Sequence, residues 1–337
     1  MESFRFSIII TIICMIGAYF LKGIEATALV LILGFLEVSL SFDNAVVNAS
    51  VLKRMPPVWQ QRFLTWGMLV AVFGMRLVFP VAIVAFATDV SFYEVTQMAL
   101  HDPMQYAHHL ESSHTLIAAF GGTFLLLVAF SFLLDDDRDI YWLGKMEEKL
   151  QSLGKVDAVS TTITLAALLL TYHFVAAEHQ HDVLMGGIWG IFLYGLVSSL
   201  DRFFQSDDED AELLGDAAKK GGVMAFMYLE LLDASFSFDG VIGAFAITRD
   251  IVVIMMGLGV GAMFVRSLTV FLVKKGTLDE YVFLEHGAHY AIGALALIML
   301  VSTFQPIPEI FTGLIGATLI GLALWSSIID KRKQKQA

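Results

Sequence analysis

A single cysteine, Cys14, in 337 residues leaves no partner for an intramolecular disulfide and no thiolate cage for a metal. Charge is scarce as well: Asp, Glu, Lys and Arg make up 16% of the chain, too little for the wetted surface of a soluble protein of this length. Basic residues number 21 against 33 acidic ones, which argues against a nucleic-acid partner. Much of the formal charge of -12 lies in two clusters, Asp135 to Asp139 and Asp207 to Asp216. Catalytic signatures are missing too. No nucleophile motif or phosphate-binding loop occurs, and Glu111-x-x-His114 lacks the second histidine of a zinc-hydrolase helix, so an enzyme is not expected. What fills the chain is apolar residue, 57% of the total with a mean hydropathy of +0.72. It comes in blocks near the roughly 20 helical residues that cross about 30 Å of hydrocarbon. The expected class is therefore an all-α polytopic membrane protein in contact with lipid.

Blocks and breaks predict ten spans, near residues 6–21, 26–51, 63–87, 114–134, 157–177, 183–200, 222–247, 251–273, 287–304 and 308–329. The first is expected to be a retained helix, because no small-residue cleavage site follows and Lys22 and Glu25 come at once. Basic residues fall in alternate connections: Lys53, Arg54 and Arg62; Arg138, Lys145, Lys149 and Lys155; Arg202, Lys219 and Lys220; Lys274 and Lys275; and the tail from Lys331. The intervening connections, 88–113, 178–182, 248–250 and 305–307, contain only Arg249. Under the positive-inside rule the basic connections face the cytoplasm, and both termini with them. A plasma membrane, bacterial inner membrane in type, is the expected location.

The chain repeats itself. Leu36 to Val46 aligns without a gap to Leu232 to Ile242, with five of eleven positions identical. Glu37 aligns to Asp233 and Asp43 to Asp239, so each copy reads acid, five residues, Asp. Each copy continues into a block holding one arginine, Arg76 or Arg266, and then into a block entered at a histidine, His114 or His289. The alternation of basic loops gives the two motif-bearing spans opposite directions, so the repeats, about 26–134 and 222–304, are inverted. Connecting helices at 157–200 and a terminal helix at 308–329 complete a single transmembrane domain. Inverted repeats with binding groups on interrupted helices are a common construction of secondary transporters.

A carboxylate inside a span is expensive, several kcal/mol or more before compensation, and so marks a functional position. On an unbroken helix Glu37 and Asp43 would point about 120° apart. Ser39, Ser41 and Asn44 in one copy, and Asp239-Gly240 in the other, predict local breaks that would bring the acids together. The candidate metal site is Glu37, Asp43, Asn44, Asp233 and Asp239, with Ser41 and Ser237 as further oxygen donors. Arg76 and Arg266 are either counter-ions for the site or purely structural partners of its acids. Oxygen donors without cysteine suit a hard divalent cation, Mn2+, Mg2+ or Ca2+, over copper. His114 and His289 are secondary candidates, as are the clusters at His101 to Glu111, at Glu178 to Asp182, and at Glu285 and His286.

Glu37-Val-Ser-Leu-Ser-Phe-Asp43-Asn and Asp233-Ala-Ser-Phe-Ser-Phe-Asp239-Gly-Val-Ile-Gly-Ala-Phe-Ala-Ile-Thr248 resemble the TerC family of membrane proteins. The resemblance covers the two three-span units and implies tellurium-resistance associations and manganese efflux. Where that family carries Asp-Ser in the second motif, this chain has Asp239-Gly240, one hydroxyl fewer. The expected function is export of Mn2+ or a related divalent ion, coupled to protons or another ion. The competing expectation is a membrane scaffold or assembly protein with a structural ion, associating with a second copy or with other membrane proteins.

Overall fold

The computed structural model of the protein describes residues 4–88, 90–135, 138–154, 158–205, 214–248 and 250–334. Its elements are α1 (Arg5–Leu40), α2 (Phe42–Arg54), α3 (Pro57–Leu69), a π-helical segment (Val70–Val78), α4 (Phe79–Thr88), α5 (Phe92–His101), α6 (Pro103–Ser112), α7 (His114–Leu133), α8 (Lys145–Gly154) and α9 (Val159–Phe174). After a 3-10 turn (Ala177–His179) come α10 (Gln180–Gln205), α11 (Leu214–Ile247), α12 (Ile251–Lys275), α13 (Thr277–Glu280), α14 (Leu284–Ser302) and α15 (Glu309–Gln334). No strand occurs among the described residues, and the protein is an all-α polytopic membrane protein.

Six helices among the described residues are long and apolar enough to span a bilayer, and a seventh if α8 and α9, bent by 98°, count as one. The other blocks expected to span are also helical, but they are divided or carry acids. The block at 26–51 is divided at Ser41, that at 63–87 contains the π segment, and α11 holds Glu230, Asp233 and Asp239. Conversely, α1 combines two expected spans. At Gly23 the backbone takes φ 84°, ψ -168°, a region open essentially to glycine alone. The chain reverses there, as its contacts with α12 show. Ser7 donates to the Met263 carbonyl at 2.7 Å and Lys22 pairs with Asp250 at 2.9 Å, so the first half runs against α12. Leu33 then packs on Gly257 and Glu37 on Gly261, so the second half runs along it.

The chain forms two compact units, one of Met1–His114 with Ala225–Phe271, the other of Thr115–Met224 with Leu272–Ala337. Lipid tails are as apolar as leucine, so helix association in a bilayer relies on close packing and polar links more than on apolar burial. In the first unit Gly261 is such a packing point: a Cβ there would lie 2.5 Å from Glu37 Cγ and 2.9 Å from the Gly34 carbonyl. In the second unit α7 and α14 pack antiparallel, with Gly122 against Leu300, Ala129 against Gly293 and Phe132 stacked on His289 at 3.9 Å. Thr123 donates to the Gly187 carbonyl of α10 at 3.0 Å. Large apolar side chains stay exposed on α1 and α15, among them Phe20, Phe35, Phe311 and Trp325, as on helices that face lipid.

The segment expected as an outward loop is two helices. Ser91 and Glu94 form a capping box at the start of α5, and Asp102 caps α6 just before Pro103. Tyr106 of α6 packs on Phe245 of α11.

Candidate functional site

The second half of α1 ends at Leu40. Ser41 leaves the helical path at φ -103°, ψ 18°, and α2 resumes at Phe42. This is the break that the serines predict, and it puts Glu37 on the last turn before it and Asp43 on the first turn after it. A negative charge at a helix start is favourable, and Asp43 Oδ1 also accepts from the Asn44 backbone N–H at 3.0 Å. The corresponding break at Asp239-Gly240 does not occur, because α11 runs unbroken to Ile247. Gly240 serves closeness instead: a Cβ there would stand 2.8 Å from Glu37 Oε2. Glycine at this position thus leaves room for Glu37.

Across this gap the two motifs run antiparallel, Glu37 facing Gly240 and Asn44 facing Asp233. Asn44 Nδ2 donates to Asp233 Oδ1 at 2.8 Å. Between the acids lies Arg76, carried by the π segment, whose wider turn is a frequent mark of functional positions. Its Nη2 is hydrogen-bonded to Glu37 Oε1, its Nη1 is 3.7 Å from Asp233 Oδ2, and Ser41 Oγ donates to the same Glu37 oxygen at 3.1 Å. Glu37, Ser41, Asn44, Arg76 and Asp233 therefore form one buried polar network.

A second buried pair adjoins it. Glu230, one helical turn before Asp233, and Arg266 both sit against Gly67, where a Cβ would be 2.7 Å from Glu230 Oε1 and 3.3 Å from Arg266 Nη2. The Arg266 guanidinium also lies over the Phe63 ring, 4.3 Å from its centroid. Arg76, Arg266, Glu230, Asp233, Asn48 and Thr269 border a cavity of about 20 Å³, closed further by Phe63, Ala262 and Val265. Repeat comparison misses Glu230 and Asn48, because their aligned partners are Gly34 and Ala244. The available signal was the acid itself inside an apolar block, one turn from Asp233.

Asp43 is buried and accepts its hydrogen bond from within its own turn. The side chains of Ser237 and Asp239 lie outside the described residues. Among the described residues no three of His, Cys, Asp and Glu converge as a metal cluster. His114 is half-buried at the start of α7. His289, in the second unit, stacks on Phe132 while its Nδ1 meets the Glu285 carbonyl at 2.9 Å. Nearby, Glu147 is fully buried, accepting from Tyr290 Oη and the Trp142 N–H at 2.9 Å each, with His286 at 3.6 Å and Arg138 at 3.8 Å. His286 and His289 thus both engage neighbours within the second unit. His108 and Glu111 border a larger cavity of about 620 Å³ with Met104 and Thr248, while the half-buried His179 lies beside the exposed Glu178 and the half-buried Asp182.

The family described as "Protein of unknown function (DUF475)" matches residues 42–334, and the chain belongs to that family. A relative in Bacillus subtilis (strain 168), "Uncharacterized membrane protein YceF", is 34% identical over 110 residues. That match covers 32% of this chain and 41% of the relative, so the chain spans less than half the length of the relative it matches. No solved structure matches.

Proposed function

We propose that this DUF475 member is a secondary transporter that exports a divalent cation, Mn2+ first among them, through buried carboxylates shared by two inverted repeats. One observation carries the reading. Glu37, Asp43, Glu230 and Asp233 are all buried in the first unit, where the buried arginines are Arg76 and Arg266, so with every acid ionised the formal excess is two negative charges. A low-dielectric interior does not tolerate such an excess without compensation. A divalent cation supplies the missing charge, and carboxylate and amide oxygens are the ligands that Mn2+, Mg2+ and Ca2+ accept. The TerC resemblance selects Mn2+ among them.

Arg76 gives the cycle a cation-free form. With no metal bound it neutralises Glu37 and Asp233; an arriving cation displaces it, and its return expels the cation toward the opposite face. Antiparallel motifs with similar acids supply two similar halves for such an exchange. The test is manganese flux into sealed proteoliposomes alongside a check of insertion. Asp43→Asn keeps the shape and removes one charge, so flux is expected to fall on the order of tenfold or more. Wild-type flux from a correctly inserted Asp43→Asn and Asp239→Asn pair of variants would remove the assignment.

The scaffold reading is favoured by one fact, that Arg76 already satisfies Glu37 without any ligand. A scaffold binds a cation without moving it, so the same liposomes distinguish the two.

A further inference from the structure

Met146 and Leu153 of the short helix α8 are 59% and 47% exposed. At the helical repeat, the residues from Lys145 to Gly154 divide into three faces about 120° apart. Glu147, Gln151 and Gly154 form a docked face. Glu147 accepts from Tyr290 Oη of α14 at 2.9 Å and Gln151 from Tyr141 Oη at 2.6 Å, while Gly154 lies so close to the Leu134 carbonyl that no Cβ would fit. Lys145, Glu148, Lys149 and Ser152 form a polar face and are all exposed. The third face is Met146, the half-buried Leu150 and Leu153. A helix docked on one side and wetted on the others would be polar on both remaining faces, and α8 is not.

Its place in the second unit identifies what covers the apolar face. Leu134 directly follows α7 and Tyr290 lies within the first two turns of α14, so α8 crosses the ends of two antiparallel spans. It is also bent by 98° from α9, which fills the fifth expected span. A helix at the level of the span ends and square to a span lies in the plane of the bilayer surface. Trp142 and Tyr290, with rings 5.8 Å apart, are of the residue types enriched at that level. We infer that α8 is an interfacial helix docked on the phospholipid surface of the bilayer that holds the spans. Met146, Leu150 and Leu153 enter the acyl boundary to a depth of about 5–10 Å. Lys149 and Lys145 occupy the part of the polar face nearer these residues, from which long stems reach lipid phosphates, and Glu148 takes the far edge. Through Glu147 and Tyr290 the helix ties the start of α14 to the headgroup level.

The test uses full-length chains with Cys14→Ser and one new cysteine, Met146→Cys, Leu153→Cys or Ser152→Cys, each carrying a fluorophore. They are placed one per nanodisc of phosphatidylcholine and phosphatidylglycerol. Tryptic cleavage at Lys145 and Lys149 at the wild-type rate shows that α8 is still docked in each. Two quenchers are compared, a phosphatidylcholine with a nitroxide high on its acyl chain and aqueous iodide. The labels of Met146→Cys and Leu153→Cys should lose emission to the nitroxide lipid and be protected from iodide, with the reverse for Ser152→Cys. Iodide quenching alike at all three positions of docked chains would overturn the lipid assignment, because the apolar face would then be wet. Protection of the first two labels from both quenchers would overturn it as well, because protein rather than lipid would then cover the face.

Discussion

Arg76 joins acids from both motifs, Glu37 through a hydrogen bond and Asp233 at 3.7 Å, so its removal tests whether the pair is a resting lock or only a brace. Removing one partner of a buried ion pair costs about 3–5 kcal/mol, because the remaining charge is left uncompensated. In Arg76→Gln that cost should appear as a lower melting temperature without metal. If cation and guanidinium compete, Mn2+ should restore the lost stability, and the thermal shift per added Mn2+ should exceed that of the wild type. A destabilised variant with no metal response would mark Arg76 as a brace. At this scale much of the site was legible in the sequence. Glu37, Asp43 and Asp233 stand out as acids in apolar blocks, Asn44 follows Asp43, and the repeat pairs the copies. Glu230 and Asn48 were hidden because repeat comparison rewards matched positions, and theirs are matched by Gly34 and Ala244. Which oxygen Arg76 takes was not readable either, since that depends on the turn of the π segment.

Helix by helix, breaks and caps could be read where the local chemistry forces them. Ser41 interrupts the helix as its neighbourhood predicts, and the Ser91–Glu94 box and the Asp102-Pro103 start are helix signals inside a segment whose polarity suggests a loop. Gly240 misleads because a glycine that permits a turn and one that permits a close neighbour look alike in sequence; its approach to Glu37 decides the matter. The short helix α8 shows the same limit. Its sequence suggests a charged cytoplasmic connection, yet Glu147 is buried under Tyr290, Trp142, His286 and Arg138 and fastens α8 to α14. Glu147→Ala would take from the largely buried Arg138 the carboxylate at 3.8 Å, a loss of up to about 3–5 kcal/mol. The expected result is faster tryptic cleavage at Lys145 and Lys149 at a temperature where the wild type resists. Equal cleavage rates would mean that α8 is held by its other contacts.

For the molecule as a whole, hydropathy and charge make the membrane class plain, while the way the repeats interlock depends on contacts far apart in sequence. The two units illustrate this: the first two spans of each repeat fall in one unit and the third spans in the other, a partition that no linear reading yields. Direction is the deeper property. Glu37 faces Gly240 while Asn44 faces Asp233, and α7 packs on α14 from Gly122 against Leu300 to Phe132 against His289. In each unit, then, one aligned pair of spans runs antiparallel, the direction that an inverted arrangement expects. Antiparallel packing leaves open which end faces the cytoplasm, and the basic loops predict that side. The test uses chains in which Cys14 is first replaced by serine. New cysteines, Lys53→Cys, Lys275→Cys, His101→Cys and Arg249→Cys, are then exposed singly to a membrane-impermeant maleimide in intact cells. His101→Cys and Arg249→Cys should label from outside, and Lys53→Cys and Lys275→Cys only after the membrane is opened. Labelling of all four positions in the opposite sense would keep the inversion and turn the protein over. Lys53→Cys and Arg249→Cys on one side would end the inverted arrangement, because the spans between those positions and the motifs would then run the same way.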